Sequence, residues 1–187
     1  MKKNNQYGRS MMEMLGVLTI IGILTTGGFS LVMKTRMHQA ISEVTDTMTS
    51  LAQKTRHIIR DYVLDNPNAA SGSMKAYVVN AKAYPDTLAT DWTDRNDVTY
   101  DVVYVGTNPM FWVVVSGLSE EMCLSLSNGN YGTGVSSGFV GLSYTSSQSE
   151  CSETTPCYDA PVSLATAVTG CTPEAGKTTV TMKFGFR

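Results

Sequence analysis

Histidine and tryptophan occur only twice each in this chain of 187 residues, and no cysteine precedes Cys123. The histidines, His38 and His57, stand nineteen positions apart. That is not the spacing of a metal pair on a helix, so a solvated face accounts for both and no metal is expected. Charge is sparse at 16% of residues, and 14 Lys and Arg against 16 Asp and Glu leave a net −2. No basic field is available to a polyanion, which sets nucleic acid aside as the main partner. The glycine-rich run from Ser127 to Gly134 lacks the following helix and lysine that cradle a phosphate. Cys151 and Cys157 lack the spacing and the second cysteine pair of a zinc knuckle. No internal repeat points to a solenoid. Trp92, Trp112 and the nine tyrosines are read as packing residues rather than a sugar platform. Neither a catalytic site nor a cofactor is expected, so the chain is read as not an enzyme.

What the chain does have is a long apolar run near its start. The 20 residues from Met14 to Met33 carry no formal charge, and as a helix they would reach about 30 Å, the thickness of a bilayer's hydrocarbon core. Lys2, Lys3 and Arg9 precede the run, and Lys34 and Arg36 follow it, so flanking charge favours a cytoplasmic N-terminus only weakly. All four cysteines, Cys123, Cys151, Cys157 and Cys171, lie far behind this segment. An even count behind a membrane signal predicts two disulfides formed in an oxidising compartment, with three pairings open. Such a segment is a cleaved signal peptide, a permanent anchor, or a segment cut ahead of its apolar core. Glu13 separates the three, because a carboxylate against the start of a membrane span is costly and a plain signal or anchor has no use for it.

The run Gly8-Arg9-Ser10-Met11-Met12-Glu13, followed by apolar residues, resembles the class III leader of type IV prepilins. Ile20-Ile21-Gly22-Ile23-Leu24 sits at the offset, and has nearly the composition, seen in many pilins. The resemblance covers about the first 55 residues. It implies cleavage by a prepilin peptidase after Gly8, a modified (N-methylated) new N-terminus at Arg9, and Glu13 as the assembly glutamate. Cleavage would create an α-amino group, mostly protonated at neutral pH, able to pair in lipid with Glu13 of a neighbouring subunit. A buried pair of that kind forms only when subunits stack in register, and losing one member typically costs about 3 to 5 kcal/mol. Two positions depart from the family. Arg9 stands where phenylalanine or methionine is usual, and could pair with Glu13 four residues on along the same helical face. Ser30 stands where many pilins carry proline, just after the weak helix formers Thr25, Thr26, Gly27 and Gly28.

Met37, Ile41, Val44, Met48 and Leu51 recur at helical spacing, and Ile58 and Tyr62 extend the stripe. The pattern predicts one helix from Ser10 to about Val63, ended by Asn66-Pro67-Asn68, which would run about 80 Å. Strands are predicted at Thr99 to Val105, Phe111 to Ser116, Phe139 to Tyr144 and Thr178 to Phe186. Ser119 is a predicted N-cap for a short helix containing Cys123, with two acids in its first turn. The expected class is α+β: a long N-terminal helix on an antiparallel sheet. Expected divisions are a leader (1–8), a membrane or filament-core half-helix (9–33), an amphipathic half-helix (34–64) and a globular head (65–187).

Cys123 and Cys171 resemble the disulfide that ties down the C-terminal region of many pilins, especially the type IVb group. Cys151 and Cys157 would then close a small loop. The loops Asn128–Glu150 and Ser152–Gly170 are expected to face outward and carry any recognition. The resemblance implies a homo-oligomeric filament, with the prepilin peptidase, the inner membrane and the pilus assembly machinery as partners. Its subunits would wait in the bacterial inner membrane and end in an extracellular pilus. A minor pilin, a secretion pseudopilin, and an exported or anchored binding domain with an ordinary signal are the other readings.

Overall fold

Helical periodicity dominates the first third of the chain, and α1 runs from Tyr7 to Asp65. A computed structural model of the chain describes residues 7–67, 70–86, 88, 91–106, 110–131, 138–144 and 157–187; side chains of 7–10 and 24–30 lie outside that description. The helix begins three residues before the expected Ser10. It stops where Pro67 follows, with Asn66 donating through both its main-chain N and Nδ2 to the Tyr62 carbonyl. The chain divides into two compact units, Met1–Ala40 and Ile41–Arg187.

The second unit is α+β. After α1 come β1 (Gly72–Ser73), α2 (Lys75–Asn80), β2 (Thr99–Val105), β3 (Met110–Leu118), α3 (Glu120–Ser127), β4 (Phe139–Ser143), α4 (Leu164–Cys171) and β5 (Val180–Phe186). The five strands form one antiparallel sheet in the order β1-β2-β3-β5-β4. Period-two alternation sends residues of each strand to opposite faces. Register places Tyr100, Val102 and Tyr104 beside Val115, Val113 and Phe111, and these beside Met182, Phe184 and Phe186.

The later part of α1 covers that face. Val44, Met48 and Leu51 are fully buried, and Tyr62 meets the Tyr104 ring edge-on at 5.3 Å. Fully burying each aliphatic side chain contributes about 1.5 to 3 kcal/mol, so this stripe is a main source of the unit's stability. Beyond Leu51 the stripe runs through Thr55 and Ile59, both buried, whereas Ile58 is only partly so. The expected Ile58 is therefore corrected by one position. The 3.6-residue period demands Thr55 and Ile59 once Val44, Met48 and Leu51 set the phase.

β2 has the expected bounds. β3 extends to Leu118 through a register shift between Ser116 and Leu118. Gly117 makes the shift possible: its φ is +91°, and a Cβ there would lie 2.8 Å from the Asp97 carbonyl. Ser119 caps α3 as expected, accepting from the Met122 N–H. α4 corrects the expectation of a loop through Gly170, since Ser163 caps it in the same way and Leu164–Cys171 is helical.

Candidate assembly surface

In the first unit, Met11 to Ile23 are exposed at every position, as are Leu31 to Met33. Met12 is 77% exposed, Leu18 61%, Ile23 67% and Leu31 68%. Thirteen consecutive exposed residues wind more than three turns, so the apolar surface surrounds the axis rather than forming one stripe. Among the described residues no helix is long and apolar enough to cross a membrane. The run from Met14 to Met33 passes through 24–30, whose side chains lie outside the description.

Local chemistry suits this surface to an apolar surrounding. The Thr19 hydroxyl donates to the Leu15 carbonyl at 2.7 Å, and Thr35 to Leu31 at 2.9 Å. Each hydroxyl is satisfied by its own helix and needs no water. At Gly16 and Gly22 a Cβ would meet nothing within 4 Å. A helical glycine costs about 0.8 to 1.0 kcal/mol relative to alanine, and at Gly16 a side chain would meet open space. Glu13 lies on the exposed helix. Gly8 and Arg9 belong to the helical backbone of α1, but their side chains, and with them any Arg9–Glu13 pair, lie outside the description. The same holds for Thr25, Thr26, Gly27, Gly28 and Ser30, whose backbone is helical.

In the second unit the structure joins Cys123 to Cys171, with Cα atoms 5.6 Å apart across a separation of 48 residues. The bond ties α3 to α4 and removes about 4 kcal/mol of chain entropy from the unfolded state. Ser127 Oγ lies 3.6 Å from the Cys171 sulfur and accepts from the Tyr144 hydroxyl at 2.9 Å. Cys157 is also disulfide-bonded; Cys151 lies outside the described residues. Beside α4, a small open cleft is lined by Tyr144, Gly170, Glu174, Lys177 and Thr181 among others. Its two charged groups form an exposed pair at 2.6 Å, which holds the Glu174 carboxyl below its usual pKa by hydrogen bond and charge.

Loop 91–98 is fixed to α1 by charge and by an internal turn. Arg95 reaches Glu43 at 2.7 Å. Asp94 accepts from the N–H groups of Asn96 and Val98 and from the Tyr100 hydroxyl. Burial, and then the Asp94 charge, push the Tyr100 hydroxyl far above its usual pKa. Pattern reading missed this network, although Asp94 two residues before Asn96 is the kind of turn signal that could have found it.

Trp92 and Trp112 are each 1% exposed. Trp92 packs near Tyr84, with Lys75 over its ring. His38 and His57 are both exposed, and among the described residues no cluster of His, Cys, Asp and Glu could hold a metal. A scan against protein-family models, and searches of curated proteins and of solved structures, found no match to the chain.

Proposed function

We propose that this chain is a structural subunit of a type IV pilus-like filament, made as a precursor, clipped after Gly8 and polymerised through the first part of α1. One observation carries the reading: an apolar helical surface exposed all round from Met11 to Ile23 and again at Leu31 to Met33. Monomeric soluble proteins rarely leave contiguous apolar surface of that extent uncovered, and a helix apolar on every side belongs in lipid or in a protein core. A bilayer before assembly and sister helices after it would supply both surroundings. The self-satisfied threonine hydroxyls and the open helix surface at Gly16 suit close helix packing without water.

Glu13 distinguishes this from an ordinary anchor. A carboxylate at the edge of the apolar run is costly in either surrounding until an opposite charge meets it. The α-amino group released at Arg9 is that charge in our reading, and it arrives only with a correctly stacked neighbour. The head, a helix laid on an antiparallel sheet with its last third tied by Cys123–Cys171, is compatible with a pilin fold. It would be periplasmic in the subunit pool and extracellular in the filament.

Mass spectrometry of the mature N-terminus tests the proposal. A chain beginning at Arg9 with residues 10–33 retained is expected. A chain starting after Gly27 or Ser30, or one still beginning at Met1 in the exported form, would sink it.

A further inference from the structure

The sheet face turned away from α1 carries a second apolar cluster of Val103, Val105, Met110 and Trp112. Beside it lie three buried polar side chains. Lys183 is 2% exposed, Trp112 1% and Ser143 3%. They are neighbours: Ser143 stands opposite Lys183 in the β4–β5 ladder, and Lys183 Nζ lies 5.6 Å from the centre of the Trp112 ring. Gly185 allows this arrangement, since the indole lies over it and a Cβ there would be 2.8 Å from the ring.

Among the described residues, Trp112 Nε1 and Ser143 Oγ have no hydrogen-bonding partner. Burial draws the Lys183 ammonium below its usual pKa, and among the described residues no opposite charge acts on it. The acid on the same row of the sheet, Asp101, is already engaged by Ser73 Oγ and the Val102 N–H. An indole N–H and an ammonium only donate, and a hydroxyl can donate. Cation–π attraction to Trp112 offsets part of the cost of the buried charge but supplies no acceptor. Natural folds rarely leave a buried indole N–H and a buried hydroxyl side by side unmet.

We propose that Lys183, Trp112 Nε1 and Ser143 form an internal binding site for a small inorganic anion. The ammonium supplies the charge, and the indole and hydroxyl supply neutral donors. The site lies on the head's sheet and owes nothing to the filament reading, so either can fail alone.

The test follows the near-UV melting midpoint of the full chain in a non-ionic detergent at neutral pH, exchanging chloride for gluconate at constant ionic strength. Gluconate is far larger than chloride and carries the same charge, so it is the anion that a site for a small ion excludes. A ligand that binds only the folded state raises the midpoint by about 3 to 6 °C per tenfold increase above its dissociation constant. That rise is expected with chloride and not with gluconate. Lys183→Met should stay folded and lose the dependence, and Ser143→Ala should move it to higher chloride. Equal midpoints in the two salts, or an undiminished chloride dependence in Lys183→Met, would overturn the proposal.

Discussion

Arg56 on α1 donates from Nε to the main-chain carbonyl of Arg187, 2.9 Å away and 131 positions later in the chain. Arg187 in turn donates from its N–H to the Gly138 carbonyl at 2.8 Å. One guanidinium thus fastens the helix to the end of β5, and through it to the start of β4. Gly138 makes room: its φ is +58°, and a Cβ there would land on the guanidinium and lie 2.6 Å from the Arg187 carbonyl.

Gly138→Ala is accordingly expected to destabilise the head by about 2 to 3 kcal/mol, combining a left-handed backbone with a clash against main chain. Urea unfolding followed by near-UV circular dichroism measures it. Adding Arg56→Ala should restore little, because the Arg187 carbonyl and the backbone angle remain.

Thr55 is fully buried on the α1 stripe, and among the described residues its hydroxyl has no partner. Thr45 and Thr49 on the same helix donate to the carbonyls of Ile41 and Thr45. An unsatisfied buried hydroxyl costs about 1 to 3 kcal/mol, so Thr55→Val should raise stability by about 1 kcal/mol. No gain in the unfolding midpoint would mean that the hydroxyl is better met than its geometry indicates.

Thr55 also explains what could be read in advance. Periodicity located α1 and the phase of its core stripe through Val44, Met48 and Leu51, but a polar residue at a core position hid the continuation to Ile59. A run of β-branched and aromatic residues located β2 to the residue, but its burial on both faces from Val102 to Val105 depends on what the rest of the chain lays over it. β1, α2 and α4 were not anticipated. β1 and α2 are two and six residues long, and contacts such as Met74 N–H to the Val102 carbonyl position them. α4 holds two threonines and a glycine in eight residues, a weak helix former that the Ser163 cap and the disulfide at Cys171 hold in place. The run from Gly8 to Glu13 and the apolar stretch behind it were legible as a motif; that the described side chains of that stretch are exposed on every side became visible only along α1.

Lys183 gives the head a pH dependence of definite sign. Burial lowers its pKa in the folded state. Below that lowered value both states hold the proton, and the full cost of burying the charge is present. As pH rises through it, the folded state releases its proton while the unfolded chain keeps its own up to about 10.4, so stability rises across this window. Tyr100 and Tyr131, whose pKa values burial pushes up, act oppositely only above about pH 10. In gluconate, the parent should therefore gain on Lys183→Met as pH rises toward about 10. A stability difference independent of pH would show that Lys183 does not titrate there.

Glu13 is where the filament proposal meets its sharpest test. Glu13→Gln keeps size and polarity but removes the charge, so membrane insertion should become easier and the head, in a separate unit, should melt unchanged. Assembly should suffer: the neighbour's α-amino group would enter an apolar surrounding without its carboxylate, a loss of about 3 to 5 kcal/mol per contact for a buried pair. That corresponds to a fall of two to three orders of magnitude or more in the equilibrium for adding a subunit. Co-expression with the parent, followed by quantitative mass spectrometry of sheared filaments and of the membrane pool, reads the ratio directly. Strong depletion of the glutamine form from filaments, with normal processing and pool size, is expected. Equal incorporation would remove the charge pair as the device that sets register, leaving burial of the apolar helix as the whole driving force.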